Sequence, residues 1–350
     1  MSIRTTLSVT AATAAVALML GGCAAGEGSA TIDEAPEPAA SAGDEAWSDD
    51  VLTIDFATYN PLSLIIKEEG WLEATLGDDV TVNWVQSAGS NKANEALRAG
   101  AVDVGSTAGS AALLARANGS PIRTIGLYTQ PEWSAIVVPA GSDITSVEQL
   151  AGRSVAATKG TDPYFFLLQS LEEHGVALGD VEVQNLQHAD GKAALESGAV
   201  DAWSGLDPLM AASEATAGSQ LIYRNIDFNT YGFLNATQEF IDSNPDLAQL
   251  VLDAYERARA WALEHPDETA QILADVAAID LAVAQKVILE RTVIDLDVVP
   301  GDAQRDVLEV VGPIFVESGD VRSQEQIDTA IDELFDTQFA EQADASTIAD

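Results

Sequence analysis

An eleven-residue stretch of this chain occurs twice. Ala96-Leu97-Arg98-Ala99-Gly100-Ala101-Val102-Asp103-Val104-Gly105-Ser106 returns as Ala194-Leu195-Glu196-Ser197-Gly198-Ala199-Val200-Asp201-Ala202-Trp203-Ser204, with seven of the eleven positions identical. A spacing of 98 residues is far too long for a solenoid repeat. Each copy reads as the end of a helix, a glycine that closes it in the left-handed conformation, and a short buried strand that emerges at a serine. Two such units predict two α/β lobes of similar build, although a helix–glycine–strand joint is common enough to arise twice independently.

The rest of the chain alternates in the same way. Strands are expected over 52–57, 80–86, 102–106, 122–127, 135–138, 154–158, 181–186 and 199–204. Helices are expected between them, over 62–69, 91–99, 111–118 and 191–197. Alternation of this kind means parallel sheets covered by helices. From Asn244-Pro245 onward the apolar spacing is helical, over 246–263, 267–277, 281–291, 302–318 and 324–336. The predicted fold class is therefore α/β and two-lobed, each lobe a mainly parallel sheet flanked by helices, with additional C-terminal helices.

The N-terminus reads as an export signal. Arg4 precedes a small and apolar run over 7–20, too short to span a bilayer but of the size of a secretory core region. The run ends in Leu20-Gly21-Gly22-Cys23, similar to a bacterial lipobox, and Cys23 is the sole cysteine. It has no internal disulfide partner, and lipidation gives it a use. Residues 1–22 are read as a lipoprotein signal peptide, 23–50 as a disordered tether poor in large apolar residues, and 341–350 as a polar tail. Chain crossings near 135–139 and 229–232 divide the remainder into lobe I (51–139 and 230–340) and lobe II (140–229).

Charge excludes some partners. There are 56 acidic residues against 16 basic ones, for a formal charge of −40, or −41 once Arg4 is removed. Such a surface repels nucleic acid and anionic headgroups. The plainest reading is solubility, for instance in a salty medium that shortens the reach of charge.

Several stretches, taken in order, resemble the type 2 periplasmic binding proteins, and within them the nitrate-, sulfonate- and taurine-binding family of ABC-transporter solute-binding lipoproteins. They are Glu69-Gly70-Trp71-Leu72 closing a helix, the first copy of the repeat, the phrase 144–152 followed by Val155-Ala156, and Val200-Asp201-Ala202-Trp203 followed by Asp207-Pro208. The resemblance covers roughly 51–340. It implies a two-strand hinge, a small-molecule ligand in the cleft, and handover from an extracytoplasmic monomer to an ABC permease and its ATPase. It implies an organosulfonate such as an alkanesulfonate or taurine as ligand. A nitrate-like anion or a heterocyclic vitamin precursor remains open, as does a receptor role feeding a sensor.

Ligands of open α/β sheets sit beyond the carboxyl ends of the strands. That selects Tyr59 and Asn60, Ser87 and Ser90, Ser106 and Thr107, and Lys159 and Thr161 as binding candidates. All open helices, whose free N–H groups and dipole can hold an oxyanion. Each is equally consistent with simple N-capping. Gln130 and Trp133 lie in the stretch before the presumed crossing and are binding candidates; Trp133 and Trp203 would wall the apolar part of a ligand, with core packing the alternative for Trp203. Asp162 and Asp207 precede prolines and read as N-caps; Asp207 is retained as a binding candidate, and Glu132 and Asp190 lie nearby. Lys159 is the one cation expected at a strand end. Three histidines, no cysteine nucleophile, no nucleophile elbow and no metal-spaced cluster leave catalytic, metal and cofactor assignments at none. Enzymes on this fold are the minor alternative.

Overall fold

The computed structural model describes residues 46–349. The signal peptide, Cys23 and all but the end of the tether lie outside the described residues.

Strands β1 (Val51–Phe56), β2 (Thr81–Gln86), β3 (Val104–Ala108), β4 (Ile122–Leu127), β5 (Gln130–Pro131) and β6 (Ser134–Val138) come first. They are followed by β7 (Ser154–Ala157), β8 (Glu182–Asn185), β9 (Ala202–Leu206), β10 (Gln220–Tyr223), β11 (Gly232–Thr237) and β12 (Thr292–Val293). Two five-stranded sheets result, in the orders β2-β1-β3-β11-β4 and β10-β6-β9-β7-β8. Read from its other edge, the second order is β8-β7-β9-β6-β10, the same arrangement as the first. In the first sheet β1 runs parallel to β2 and β3, and β11 is antiparallel to β3 and β4. In the second, β7 runs parallel to β8 and β9, and β6 is antiparallel to β9 and β10. Each sheet thus has four strands in one direction and a single reversed strand, and that strand is the one arriving from the other sheet.

The repeated stretch supplies the central strand of each sheet, β3 and β9. Gly100 and Gly198 take φ of 63° and 72°, the left-handed region that only glycine occupies without cost. The two aspartates then make the same clasp. Asp103 gives its N–H to Thr53 O at 2.7 Å and accepts Thr53 N on its carboxylate at 2.7 Å. Asp201 does so with Ser154, at 3.0 and 2.8 Å. These bonds occupy the residues before the ladder. That is why β3 and β9 begin two or three residues later than the apolar pattern suggested.

Strand β11 was not read from the sequence. Its pattern, Gly-Phe-Leu-Asn-Ala-Thr, does not alternate because both faces are covered: its first five residues are buried. Asn235 is the polar exception, and it is satisfied from both sides. Its Nδ2 donates to Thr107 Oγ1 on β3 at 2.8 Å, and Thr124 Oγ1 on β4 donates to its Oδ1 at 2.7 Å.

The C-terminal helices cover the sheets. Pro245–Glu264 lays Leu247, Leu250, Val251, Ala254 and Ala258 into the core under the first sheet. Asp302–Glu317 serves both lobes. It packs on helix Gly109–Ala117 from the first sheet and on Asp162–Glu173 from the second, with the Phe165 and Phe315 ring centroids 4.3 Å apart. The expected helix 281–291 is a short α-helix, Leu281–Gln285, continued by a π-helical turn, Lys286–Glu290. The end read as a polar tail is packed: Ile348 is buried in the core, and Asp253 holds Asp344 N and Thr347 Oγ1 at 2.9 and 2.8 Å. At the other end Trp47 packs against that same core, so order begins before residue 51.

Candidate functional site

The two lobes meet in three places, two of them between the facing carboxyl ends of the sheets. Nearest the crossings stands Asp162, the first residue of helix Asp162–Glu173 beyond β7. Its carboxylate accepts from Ser110 Oγ, at the start of the helix beyond β3, at 2.5 Å. It also accepts from Trp133 Nε1 at 2.7 Å and from Thr230 N and Oγ1 at 2.8 and 2.7 Å. Trp133 lies on the first crossing and Thr230 on the second, so one carboxylate gathers both crossings and both lobes. Burial pushes its pKa up to about 6, against the four donors that favour the charged form.

The crossings are also tied to each other. Tyr128 N donates to Gly232 O at 2.9 Å, Gly232 N to Thr129 O at 2.8 Å and Ser134 N to Asn229 Oδ1 at 2.8 Å. The expected crossing at 135–139 is in fact strand β6; the chain crosses one turn earlier, over 128–133.

A second contact lies at the opposite edge. His188, at the start of helix His188–Glu196 beyond β8, meets Gly89 of the loop beyond β2. A Cβ on Gly89 would stand 2.8 Å from His188 Nε2. His188 is buried, and burial alone holds its pKa down to about 4.

The third contact is ionic. Asp207, beyond β9, accepts from Arg291 Nη1 at 3.0 Å and from Ala211 N at 2.8 Å. The second arm of the Arg291 fork reaches Glu214 at 2.6 Å. Burial raises the Asp207 pKa and the Arg291 charge lowers it, with burial the larger influence. Lys159 was the one cation expected at a strand end; Arg291 is a further cation at the cleft, brought there by a helix end, and is far more buried. It escaped notice because it closes a helix distant in sequence. Lys159 itself is exposed, its ammonium 5.4 Å from the Tyr164 ring.

Beneath these contacts, in the first sheet, lies Asp55, which the sequence did not single out. It is fully buried and accepts from Ser106 N and Oγ at 2.8 and 3.2 Å. Burial raises its pKa to about 7, against hydrogen bonds from Ser87 and Ser106. Tyr59 seals it, its hydroxyl donating to Ser106 O at 3.1 Å and its ring edge-on to Trp133.

The remaining candidates separate into two groups. Ser87, Ser106, Tyr59, Trp133, Thr161 and Asp207 are gathered at the facing ends, although Thr161 Oγ1 turns back to Thr158 O at 2.6 Å. Gln130 sits in β5, paired with β12. The others are employed elsewhere. Asn60 caps helix Pro61–Glu69 through Ser63 N and donates to Tyr255 in the core. Ser90 Oγ accepts from Ala108 N at 2.9 Å. Thr107 Oγ1 belongs to the Asn235 stitch described above. Trp203 is fully buried in the core of the second sheet, packed on Gly191. Asp207 does not begin a helix as expected: a cis Asp207–Pro208 bond follows and the helix opens at Leu209. Glu132 pairs with Arg224, and Asp190 is exposed.

Between Tyr59, Trp133, Asp207 and Arg291 is a cavity of about 10 Å³, the room of a single water at most. A ligand of several heavy atoms needs the lobes to part. A larger groove, about 380 Å³, runs between helices Ser90–Arg98 and Gly109–Ala117, with Asn91 and Gly160 at its cleft end.

Two like-ordered sheets, each with one strand reversed by a chain crossing and facing the other at its carboxyl ends, define a type 2 periplasmic-binding-protein fold. The family model described as NMT1/THI5 like matches residues 64–269, and the chain belongs to that family. A relative from Bacillus subtilis (strain 168) is 28% identical over 66% of this chain and 70% of its own length. One from Escherichia coli (strain K12) is 30% identical over 55% of this chain and 61% of its own. Both are named, provisionally, aliphatic sulfonates-binding proteins. Among solved structures, the alkanesulfonate-binding protein of Xanthomonas axonopodis pv. citri bound to MOPS is similar with a TM-score of 0.73. It is 22% identical, over 81% of this chain and 98% of that one. The fold does not by itself decide between binding and catalysis, since a desulfurization enzyme shares it at 17% identity, with a TM-score of 0.61 over 84% of this chain and 98% of that one. Among the described residues no helix is long and apolar enough to cross a membrane.

Proposed function

We propose that this chain is the extracytoplasmic solute-binding component of an ABC importer, and that it closes two lobes on a small organosulfonate. The observation that carries the reading is the meeting of the two sets of strand ends, Ser110 bonded to Asp162 and Gly89 packed against His188, with Arg291 reaching Asp207 from the C-terminal helices. Open α/β sheets bind ligands beyond their carboxyl strand ends, and here two such ends form one cleft. The sulfonate class is supported by the names of the two relatives. Lobe I is taken as 51–127 and 232–340 and lobe II as 134–223, with β6 assigned to lobe II because it pairs in the second sheet, and the lobes hinge at the two crossings. Cys23 would carry the lipid that holds the protein at the outer face of the membrane, for handover to the permease and its ATPase. No step of this reading needs a nucleophile or a cofactor.

A thermal-shift panel tests it. Short alkanesulfonates, taurine, nitrate and a pyrimidine vitamin precursor are each added in excess. A ligand at 100 times its dissociation constant adds about 2.7 kcal/mol of stability. At least one sulfonate should raise the melting temperature. A shift from nitrate or the pyrimidine alone would remove the sulfonate and leave the binding protein.

A further inference from the structure

We propose that His188 is a specificity residue of this cleft, whose Nε2 lone pair takes a hydrogen bond from an N–H donor, above all an ammonium hydrogen, on the end of the ligand remote from its sulfonate. The inference rests on the sulfonate reading above.

The imidazole tautomer follows from its neighbours. Thr158 Oγ1 lies 2.7 Å from Leu186 O and 3.1 Å from His188 Nδ1. A hydroxyl has one hydrogen, and Leu186 O can only accept it. Nδ1 must therefore donate to the threonine oxygen. In a neutral ring that leaves Nε2 as an acceptor. Burial keeps the ring neutral at ordinary pH, as its pKa near 4 shows. An acceptor of this kind repels a sulfonate oxygen and calls for a donor.

Nε2 is buried and has no partner, and the same holds for Asn91 Oδ1 and Gln187 Oε1. A Cβ built on Gly89 would stand 2.8 Å from Nε2 and 3.0 Å from Asn91 Oδ1, so acceptors of both lobes flank the same glycine where the lobes meet. Buried polar atoms without partners are uncommon in folded proteins, and each asks for an explanation. An ammonium carries three hydrogens and suits several acceptors at once. The spot lies at the edge of the cleft away from the crossings, beside the groove that Asn91 and Gly160 line, so a ligand reaches it as the lobes part.

The decisive pair of ligands is taurine and propane-1-sulfonate, equal in length, with an ammonium in one where the other has a methyl. Calorimetry on the full chain should show taurine favoured by about tenfold or more, as a site built for a hydrogen-bonding group rejects the analogue lacking it. His188→Leu should cut that preference to within about threefold by weakening taurine alone. His188→Gln, which keeps an acceptor, should retain part of it, and melting curves identify any variant that fails to fold. Nitrogen NMR on the wild type gives an independent readout: the Nε2 resonance should move with taurine and stay in place with propane-1-sulfonate. Equal loss of both ligands in His188→Leu, or a wild type without preference for taurine, overturns the inference and leaves the sulfonate reading standing. Failure of both sulfonates to bind the wild type removes the two together.

Discussion

At the scale of single residues the cleft is a set of buried ionisable groups held away from their ordinary charge. Asp55 has its pKa near 7 and Asp162 near 6, against 3.8 for a free aspartate, both chiefly through burial. A group whose pKa is raised by folding binds a proton that the unfolded chain has already lost. Stability therefore rises as pH falls through the folded value. Between pH 8 and pH 5 this is on the order of 3 kcal/mol for Asp55 and on the order of 1 kcal/mol for Asp162. His188 acts in the opposite sense. Its pKa is lowered to about 4 from 6.5, so the unfolded chain gains a proton first and stability falls by about 2 kcal/mol over the same span. The Asp55→Asn variant should thus lose most of the stability the wild type gains on going from pH 8 to pH 5, as read by urea melts at both pH values. Parallel curves for the two proteins would mean that Asp55 is ionised throughout. Thr107 gives a second prediction. Its hydroxyl accepts from Asn235 inside the sheet. Thr107→Ala should cost on the order of 1 kcal/mol of stability and leave ligand affinity within about twofold. A large affinity loss at unchanged stability would return Thr107 to the site.

At the scale of elements, what was legible in the sequence was local. The repeated stretch located β3 and β9 because a C-terminal glycine and an apolar run are short-range signals. Strands β4 and β6 and the helical stripe of Leu247, Leu250, Val251, Ala254 and Ala258 were legible for the same reason. Strand β11 was not, since a strand buried on both faces has no alternation and Asn235 disguises it. Site residues followed the same divide. Tyr59 and Ser87 follow strands closely and Ser106 lies toward the carboxyl end of β3, so all three could be found by position. Asp55 and Arg291 could not: Asp55 lies inside a strand with nothing polar beside it in sequence, and Arg291 reaches the cleft only through the packing of the C-terminal helices. The aspartate clasps offer a test of the repeat. Asp103→Ala leaves Thr53 N without its carboxylate, and Asp201→Ala does the same to Ser154 N. Each substitution should destabilise by about 1–2 kcal/mol, and because the clasps lie in different sheets the two effects should add in the double variant. Strong non-additivity in denaturant melts would show that the two sheets are not independent in this respect.

At the scale of the whole molecule, a net charge of −40 opposes compaction and opposes the approach of an anion. Added salt screens both over about 10 Å at 0.1 M. The association rate of a sulfonate should therefore climb with ionic strength while its dissociation rate, set by short-range contacts, stays nearly constant; stopped-flow traces at several salt concentrations read this directly. A falling association rate would mean that the cleft presents a positive field despite the acidic surface. Closure is the central claim. The cavity of about 10 Å³ between Tyr59, Trp133, Asp207 and Arg291 admits no organosulfonate unless the lobes separate and close again around it. The most direct measurement is the crystal structure of the protein grown with a short alkanesulfonate. The account predicts one ligand between the two sheets, bounded by the loops beyond β2 and β3 on one side and by those beyond β7 and β9 on the other, with the lobes turned about residues 128–133 and 224–231. A ligand seated in the groove between helices Ser90–Arg98 and Gly109–Ala117, with the Ser110–Asp162 and Asp207–Arg291 contacts unchanged, would contradict it.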